Sequence, residues 1–204
     1  MSVMVQDPTT YFSQWICDRP ELLRAMESEA EDQGIPIVGP VVGRLLYLLA
    51  RLRKPGLILE LGTATGYSAI FMGAACRENQ GRIISLEIDP QMAERARHHI
   101  ARAGLADIIE VRCEDALNAL SGFDRPVDMI FMDVEKEDYA KLLPMVTTIT
   151  EPDALLVVDN TGFKDACRFN EAIHADAMWE SVNLWAFFPG HSPVRDGVCI
   201  AVRR

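Results

Sequence analysis

A short stretch with two glycines, LELGTATGYS at residues 59–68, is the first place in the sequence where ligand chemistry is expected. An apolar run contains the acid Glu60, and Gly62 and Gly66 bracket three small residues. The stretch lacks the Lys-Ser/Thr pair of a phosphate-binding P-loop and the middle glycine of the dinucleotide motif G-x-G-x-x-G. The pattern therefore counts against a bound phosphate or NAD and indicates a different ligand.

Two further acids follow the next two strands that the sequence predicts. Glu87 ends the second strand, where a carboxylate can grip ribose hydroxyls, and Asp115 follows the third strand. Together with Glu60, these acids would surround a nucleoside that carries a positive charge and no phosphate. S-adenosylmethionine has both properties, and we expect it over the glycines. The competing interpretation is that Gly62 and Gly66 only turn the chain from a strand into a helix.

Polar side chains also end the fourth and fifth predicted strands. Asp133 ends one, and the pair Asp159-Asn160 ends the other. Because neighbouring parallel strands end at the same edge of a sheet, two carboxylates and an amide oxygen would converge there, and Mg²⁺ or Ca²⁺ prefers such ligands. Lys136 lies one helical turn past Asp133 and could act as a general base. Taken singly, Asp159-Asn160 could be a simple turn and Lys136 a solvated charge.

These side chains are positioned by an alternation of strands and helices from residue 57 onward. The predicted strands are 57–61, 82–89, 107–113, 127–133 and 154–160. The predicted helices are 67–76, 90–103, 135–149 and 164–176. Pro144 is expected to shorten or kink the third of these helices. Two last strands, at 180–188 and 197–204, read as an antiparallel hairpin. The fold class is therefore α/β: a doubly wound, mostly parallel, seven-stranded Rossmann-like sheet with a C-terminal antiparallel hairpin.

Length and composition bound the function. The 204 residues fit one domain, in which residues 1–55 form a helical N-terminal cap with an amphipathic helix from Pro40 to about residue 53. The sequence contains no membrane-spanning stretch and no signal peptide is expected. A net charge of −10 counts against nonspecific nucleic-acid binding. The five cysteines are scattered, which indicates reduced thiols and a cytoplasmic protein.

Five motifs occur in a fixed order over roughly residues 35–165, with a weaker match at RDGVCIAV. The motifs are LELGTATGYSAI, GRIISLEIDP, EDAL, VDMIFMDVEKEDY and LLVVDN. In these motifs the sequence resembles the cation-dependent O-methyltransferases of the catechol and caffeoyl-coenzyme A type. The resemblance implies S-adenosyl-L-methionine as methyl donor and a divalent cation, Mg²⁺ in the first place, with Ca²⁺ or Mn²⁺ as alternatives. It also implies a small catechol-like aromatic acceptor and a homodimer contact through the N-terminal helices.

The resemblance assigns roles to individual residues. Those implied to contact the cofactor are Val38, Glu60, Gly62, Thr63, Ser68, Glu87, Asp115, Ala116 and Asp133. Those implied to bind the metal are Asp133, Asp159 and Asn160, and Lys136 would be the catalytic lysine. The sequence departs from the family after Asn160, where the usual insertion is short. The stretch FFPGHSPVRDG offers His191 and Arg195 but no acid of the kind that some catechol enzymes direct at the substrate, so the acceptor stays open.

Several side chains and functions are left as alternatives. Four aromatic residues could stack on an aromatic acceptor, although a core or interface role is more common for them: Trp15, Phe163, Trp185 and Phe187. His98 and His99 are given no role. The acceptor could instead be a hydroxylated base in tRNA. A nicotinamide-dependent oxidoreductase is disfavoured by the missing glycine, and a binding protein without catalysis is disfavoured by the set around Asp133 and Lys136.

Overall fold

One seven-stranded sheet forms the centre of the computed structural model, which describes residues 3–204. Its strands are β1 (Leu57–Leu61), β2 (Arg82–Glu87), β3 (Ile109–Cys113), β4 (Val127–Met132), β5 (Thr150–Val158), β6 (Trp179–Phe187) and β7 (Arg195–Arg203). They lie in the order β3-β2-β1-β4-β5-β7-β6. Strands β1 to β5 are parallel, and β7 runs antiparallel between β5 and β6. The predicted doubly wound sheet with its C-terminal hairpin is confirmed.

Helices precede the sheet and connect its strands. They are α1 (Pro8–Ser13), α2 (Glu21–Gln33), α3 (Gly39–Arg53), α4 (Tyr67–Asn79), α5 (Pro90–Arg102), α6 (Ala116–Ser121), α7 (Tyr139–Thr148) and α8 (Cys167–Ala175). Short 3₁₀ turns at 136–138 and 164–166 lead into α7 and α8. The first three helices make up the helical segment that the sequence predicts, of which residues 1 and 2 lie outside the described part. No helix within residues 3–204 is long and apolar enough to cross a bilayer.

Two apolar clusters, one on each face of the sheet, surround the strands. Along β1, Ile58 belongs to one cluster, while Leu59 and Leu61 belong to the other. Leu46 of α3 and Met72 of α4 join Ile58 on the first face, and both are fully buried. Because helices cover both faces, the central strands are nearly continuous apolar runs.

Helix α7 differs from its predicted bounds. It begins at Tyr139, after a 3₁₀ turn, and not at 135, and it continues past Pro144 to Thr148. A proline in a helix interior removes one hydrogen bond and costs about 3 kcal/mol. Leu142, Leu143 and Val146 are buried against the sheet, and this packing offsets the cost. The helix is therefore shortened at its start and not at its proline.

The ends of β1, β4 and β5 are aligned, which brings the residues that follow them together. The amide of Asp133 donates to the carbonyl of Leu61 at 2.8 Å, and the amide of Asp159 donates to the carbonyl of Met132 at 3.1 Å. The strand order reverses between β1 and β4, and ligands of doubly wound sheets bind beyond the strand ends at such a switch point.

Candidate functional site

A cavity of about 300 Å³ opens beyond the carboxyl ends of the central strands. Its wall is built mainly from the loops that follow β1 to β5, from the segment that enters α3 and from Ser192 in the loop joining β6 and β7. All of the predicted site residues except Glu60 line it: Val38, Gly62, Thr63, Ser68, Glu87, Asp115, Ala116, Asp133, Lys136, Asp159 and Asn160. The structure therefore brings the predicted metal ligands and all the predicted cofactor residues other than Glu60 to one cavity.

The glycine loop packs directly against the residue that follows β4. Gly62 has φ +88° and Gly66 has φ +89°, a backbone region that other residues rarely adopt. A Cβ on Gly62 would lie 2.1 Å from the carbonyl oxygen of Asp133. Gly62 thus permits both the turn and the close approach of the glycine loop to Asp133.

Glu60 lies beneath the cavity and is not among the residues of its wall, so its contact with a ligand stays a prediction. Its carboxylate accepts hydrogen bonds from the hydroxyls of Thr63 at 2.7 Å, of Ser68 at 2.6 Å and of Ser85. Burial raises the pKa of Glu60 to about 7, against the opposing effect of the hydroxyl donors Ser68, Ser85 and Thr63. Glu60 therefore acts on the cavity through Thr63 and Ser68, which do line it.

The carboxylate of Glu87 is held in place by hydrogen bonds at the carboxyl end of β2. It accepts from the amide of Ala64 at 2.7 Å and from the amide of Asp89 at 2.9 Å. Asp115 caps α6 by accepting from the amide of Asn118 at 2.9 Å. The hydrogen bonds from the amides of Ala64 and Asn118 fix the direction of both acids. Their carboxylates make this side of the cavity suited to a neutral or cationic ligand.

The other end of the cavity carries Asp133, Asp159 and Lys136. The Lys136 ammonium lies 3.3 Å from Oδ1 of Asp133. Burial and the neighbouring charge of Asp159 raise the pKa of Asp133, and Lys136 opposes this rise. Asp159 is only 1% exposed, and its Oδ2 lies 2.8 Å from Nε2 of His191. Its Oδ1 is buried and has no hydrogen-bond partner among residues 3–204.

The side chain of Asn160 is oriented so that its amide nitrogen, and not its amide oxygen, faces Asp196. Asn160 has φ +52°, a region that asparagine tolerates better than most residues. Its Nδ2 lies 2.7 Å from Oδ2 of Asp196. Because a carboxylate only accepts hydrogen bonds, the nitrogen must be the atom that faces Asp196, which leaves Oδ1 for another partner.

The residues around Asp133 fit a divalent cation of the magnesium type. A carboxylate, an unpartnered buried carboxylate oxygen of Asp159 and the free amide oxygen of Asn160 are all hard oxygen donors. Within the described residues, no three His, Cys, Asp or Glu side chains form a group that could hold a metal. A site here would depend on the asparagine oxygen as its third protein ligand.

Four residues contact the candidate site although the sequence analysis gave them no role there, and of these only His191 had been named as a candidate, for the acceptor side. His191 and Asp196 contact the predicted metal ligands Asp159 and Asn160, and the Tyr139 hydroxyl donates to the carbonyl of Asp159 at 3.1 Å. His99, which was given no role, is 5% exposed, and its Nδ1 lies 3.0 Å from the carbonyl of Thr65 in the glycine loop.

A local signal existed for His99 alone, because it shares the buried face of α5 with Ala96. The aromatic residues proposed for stacking do not line the cavity: Trp15, Phe163, Trp185 and Phe187. Trp15 is 65% exposed and Trp185 is 66% exposed. Tyr67 lines the cavity instead.

A sheet of this order, with a cavity at the strand ends, defines the class I S-adenosylmethionine-dependent methyltransferases. A family model described as O-methyltransferase matches residues 18–186. The chain belongs to this family and is an S-adenosylmethionine-dependent O-methyltransferase.

Proteins with similar sequences are also O-methyltransferases. A catechol O-methyltransferase of Niastella koreensis is 36% identical over 156 residues, which are 74% of this chain and 70% of that protein. A catechol O-methyltransferase of Mycobacterium tuberculosis is 34% identical over 145 residues, which are 70% of this chain and 66% of that protein. The alternatives of a tRNA base as acceptor and of a nicotinamide oxidoreductase receive no support.

Solved structures of O-methyltransferases with bound SAH or SAM have the same fold. An O-methyltransferase from Bacillus cereus in complex with SAH has a TM-score of 0.85 and 26% identity, with 96% of each chain covered. The O-methyltransferase TomG from Streptomyces achromogenes, involved in tomaymycin synthesis and in complex with SAM, has a TM-score of 0.84 and 28% identity, with 96% of this chain and 95% of that chain covered.

Proposed function

We propose that this O-methyltransferase requires a divalent cation, Mg²⁺ in the first place, and methylates a hydroxyl of a small catechol-like aromatic. The observation that carries the proposal is the buried Oδ1 of Asp159, which has no hydrogen-bond partner within residues 3–204 and belongs to a side chain of the cavity wall. Leaving a buried carboxylate oxygen unpaired is costly, and a bound cation would remove that cost.

On the cofactor side, the chain provides a polar cradle for S-adenosylmethionine. Glu87 would accept from the ribose hydroxyls, and Asp115 and Ala116 would flank the adenine. Val38, Thr63 and Ser68 would contact the methionine end, with Glu60 holding the two hydroxyls from below. Gly62 would let the loop approach closely. The hydrogen bonds that fix Glu87 and Glu60 support these roles because the acids are already oriented.

On the acceptor side, Asp133, Asp159 and Asn160 would hold the cation, which would lower the pKa of a coordinated substrate hydroxyl. Lys136, whose Nζ lies 3.3 Å from Oδ1 of Asp133, would have to be the neutral amine to receive the proton of that hydroxyl. The resulting oxyanion would then form a bond to the methyl carbon of S-adenosylmethionine as the bond from that carbon to sulfur breaks. Holding acceptor and donor about 3 Å apart in one cavity supplies much of the rate.

A vicinal diol is the acceptor that suits this arrangement. Two adjacent oxygens can occupy two neighbouring coordination positions and leave one hydroxyl close to Lys136. The names of the two relatives from Niastella koreensis and Mycobacterium tuberculosis support the catechol class.

The proposal also covers the organisation of the chain. The chain acts as one domain whose helical cap ends at residue 55, and the N-terminal helices form a homodimer contact. Tyr11, Phe12 and Trp15 support such a contact because they are large apolar side chains that are 40%, 57% and 65% exposed. Light scattering after gel filtration should give the mass of a dimer, and a monomer at all concentrations would refute the contact.

The test of the metal-dependent reaction is the release of S-adenosylhomocysteine with a panel of catechols, with Mg²⁺ or with EDTA. We expect turnover that requires the metal. The variant D159A should lose this turnover, while its affinity for S-adenosylhomocysteine, measured by calorimetry, stays within about twofold because the cofactor residues are untouched. Turnover that survives EDTA would refute the metal, and an equal rate with catechols and with monophenols would refute the acceptor class.

A further inference from the structure

We infer that two of the three proposed metal ligands, Asp159 and Asn160, are oriented by one segment. This segment is the loop joining β6 and β7, residues 188–194, together with the start of β7. Within it, His191 is the positioning residue for Asp159. Because it concerns the proposed cation, this role rests on the proposed function. The predicted family motifs end before this loop, apart from the weaker match that includes Asp196, so the resemblance assigns His191 no part in it.

His191 is fixed from both sides. Its Nε2 lies 2.8 Å from Oδ2 of Asp159, and its Nδ1 lies 2.6 Å from the carbonyl oxygen of Pro193. Since a carbonyl only accepts, Nδ1 carries a proton and the ring cannot rotate without losing that bond. The side chains of His191 and Asp159 are each 1% exposed, so water cannot replace the contact.

The contact with His191 decides which oxygen of Asp159 is available. Oδ2 is occupied by the ring, and the backbone of Asp159 is held by the Tyr139 hydroxyl at 3.1 Å. Oδ1 is then the carboxylate oxygen that stays without a partner in the described residues. A histidine that supports a metal-binding carboxylate in this way sets the ligand's direction, and removal of such a partner typically costs about 10- to 100-fold in metal affinity.

The same segment holds Asn160. Asp196 is 1% exposed and accepts from Nδ2 of Asn160 at 2.7 Å, and also from the amides of Gly162 at 3.1 Å and Gly197 at 2.6 Å. The backbone carbonyl of Ser192 lies 3.4 Å from the same Nδ2. Asn160 therefore keeps its oxygen turned away from Asp196.

The loop itself is wedged against the entry of α3, so it can act as a fixed frame. A Cβ on Gly39 would lie 2.4 Å from the backbone of Gly190, and one on Gly190 would lie 2.7 Å from Pro40. The amide of Ser192 donates to the carbonyl of Ile37 at 3.3 Å. Ile37 lines the cavity next to Val38, so the frame of the metal ligands also touches the cofactor side.

The test compares two amides that reach different ring nitrogens. H191Q extends an N–H to about the position of Nε2 and can still donate to Asp159. H191N reaches only about as far as Nδ1 and keeps the bond to Pro193. Both replacements are polar and uncharged, so a general effect on packing or charge would act on both alike.

Binding of Mn²⁺ would be measured by electron paramagnetic resonance of the free ion and by calorimetry, with S-adenosylhomocysteine at saturation. We expect H191N to bind Mn²⁺ about 10- to 100-fold more weakly than the wild type, and H191Q to stay within about threefold of it. The affinity for S-adenosylhomocysteine should not change in either. As a control, H174N alters an exposed histidine of α8, and its Mn²⁺ affinity should equal that of the wild type.

The possible results separate this role from the proposed function. Wild-type protein that takes up no Mn²⁺ would refute both. Wild-type binding that D159A abolishes, with H191N as tight as the wild type, would refute the role of His191 alone. Equal weakening in H191N and H191Q would also refute it, since the donated hydrogen bond would not be the cause. Weakening in H191N with rescue in H191Q supports it.

Discussion

The buried carboxyl of Glu60 makes the stability of the free protein depend on pH in a defined direction. Burial raises its pKa from an ordinary 4.5 to about 7 in the folded state. Between these values the folded protein keeps a proton that the unfolded chain has lost. The free energy of unfolding therefore falls as pH rises through this window, and the loss is complete once the pH exceeds the folded value.

The variant E60Q removes this dependence because an amide of similar shape does not titrate. Each pKa unit corresponds to about 1.4 kcal/mol, so between about pH 5.5 and pH 8 the wild type should lose about 2 kcal/mol that E60Q retains. The hydroxyls of Thr63, Ser68 and Ser85 can rotate to satisfy the amide, so any fixed cost of the substitution is the same at each pH.

Urea unfolding, followed by tryptophan fluorescence in EDTA and without cofactor, measures the effect. The quantity of interest is the difference between the two proteins at each pH, because titrating groups that do not interact with Glu60 contribute equally to both curves. The charge of Asp133 contributes to the raised pKa of Glu60 and is therefore part of the measured effect. E94Q is the control, since the Glu94 side chain is 77% exposed and should leave the wild-type curve unchanged. A constant difference between E60Q and wild type across the range would show that Glu60 is ionised throughout and would refute the reasoning.

Three further outcomes follow from the site. G62A should lose about 3 kcal/mol or more, because its Cβ would lie 2.1 Å from the carbonyl of Asp133 at φ +88°. Urea unfolding beside G122A, whose Cβ meets nothing within 4 Å, checks this, and equal stabilities would contradict it. E87Q should weaken S-adenosylmethionine about 10- to 100-fold in calorimetry, through lost charge-assisted bonds to the ribose, and unchanged affinity would remove Glu87 from the cofactor site. K136A should lower kcat about 10²- to 10⁴-fold with unchanged S-adenosylhomocysteine affinity, and a normal kcat in steady-state assays would exclude it as the base.

Much of the fold could be predicted because its elements have local signals. Apolar runs predicted all seven strands to within a few residues, and Asp89-Pro90 marked the start of α5, where Asp89 accepts from the amides of Gln91 and Met92. The helix after β4 was less predictable, because Pro144 destabilises a helix locally. The burial of Leu143 and its neighbours offsets this loss of stability, and that burial depends on tertiary packing.

The candidate site could be predicted to the extent that its residues follow strands. Glu87, Asp133 and Asp159 were found because strand ends in a parallel sheet share one edge, and they line one cavity. Glu60 was assigned to the ligand by the same rule, yet its side chain points below the cavity towards Ser85. Glu60 pairs with Ser85 of β2 and Phe131 of β4, so Glu87 and Asp133 lie on the same face of the sheet but two residues nearer the strand ends. The depth of a residue along its strand therefore separates the buried acid from those that line the cavity.

The sequence by itself determined the class of the chain, because the alternation of strands and helices and the order of its motifs require no knowledge of long-range contacts. Only the tertiary structure decided the surroundings of the proposed metal ligands. His191 is 32 residues from Asp159 and Asp196 is 36 residues from Asn160, and β7 brings both back by inserting antiparallel beside β5. No local periodicity encodes which loop returns to a given strand end. That choice is made by the packing of the whole sheet, and it fixes which oxygens of Asp159 and Asn160 remain free.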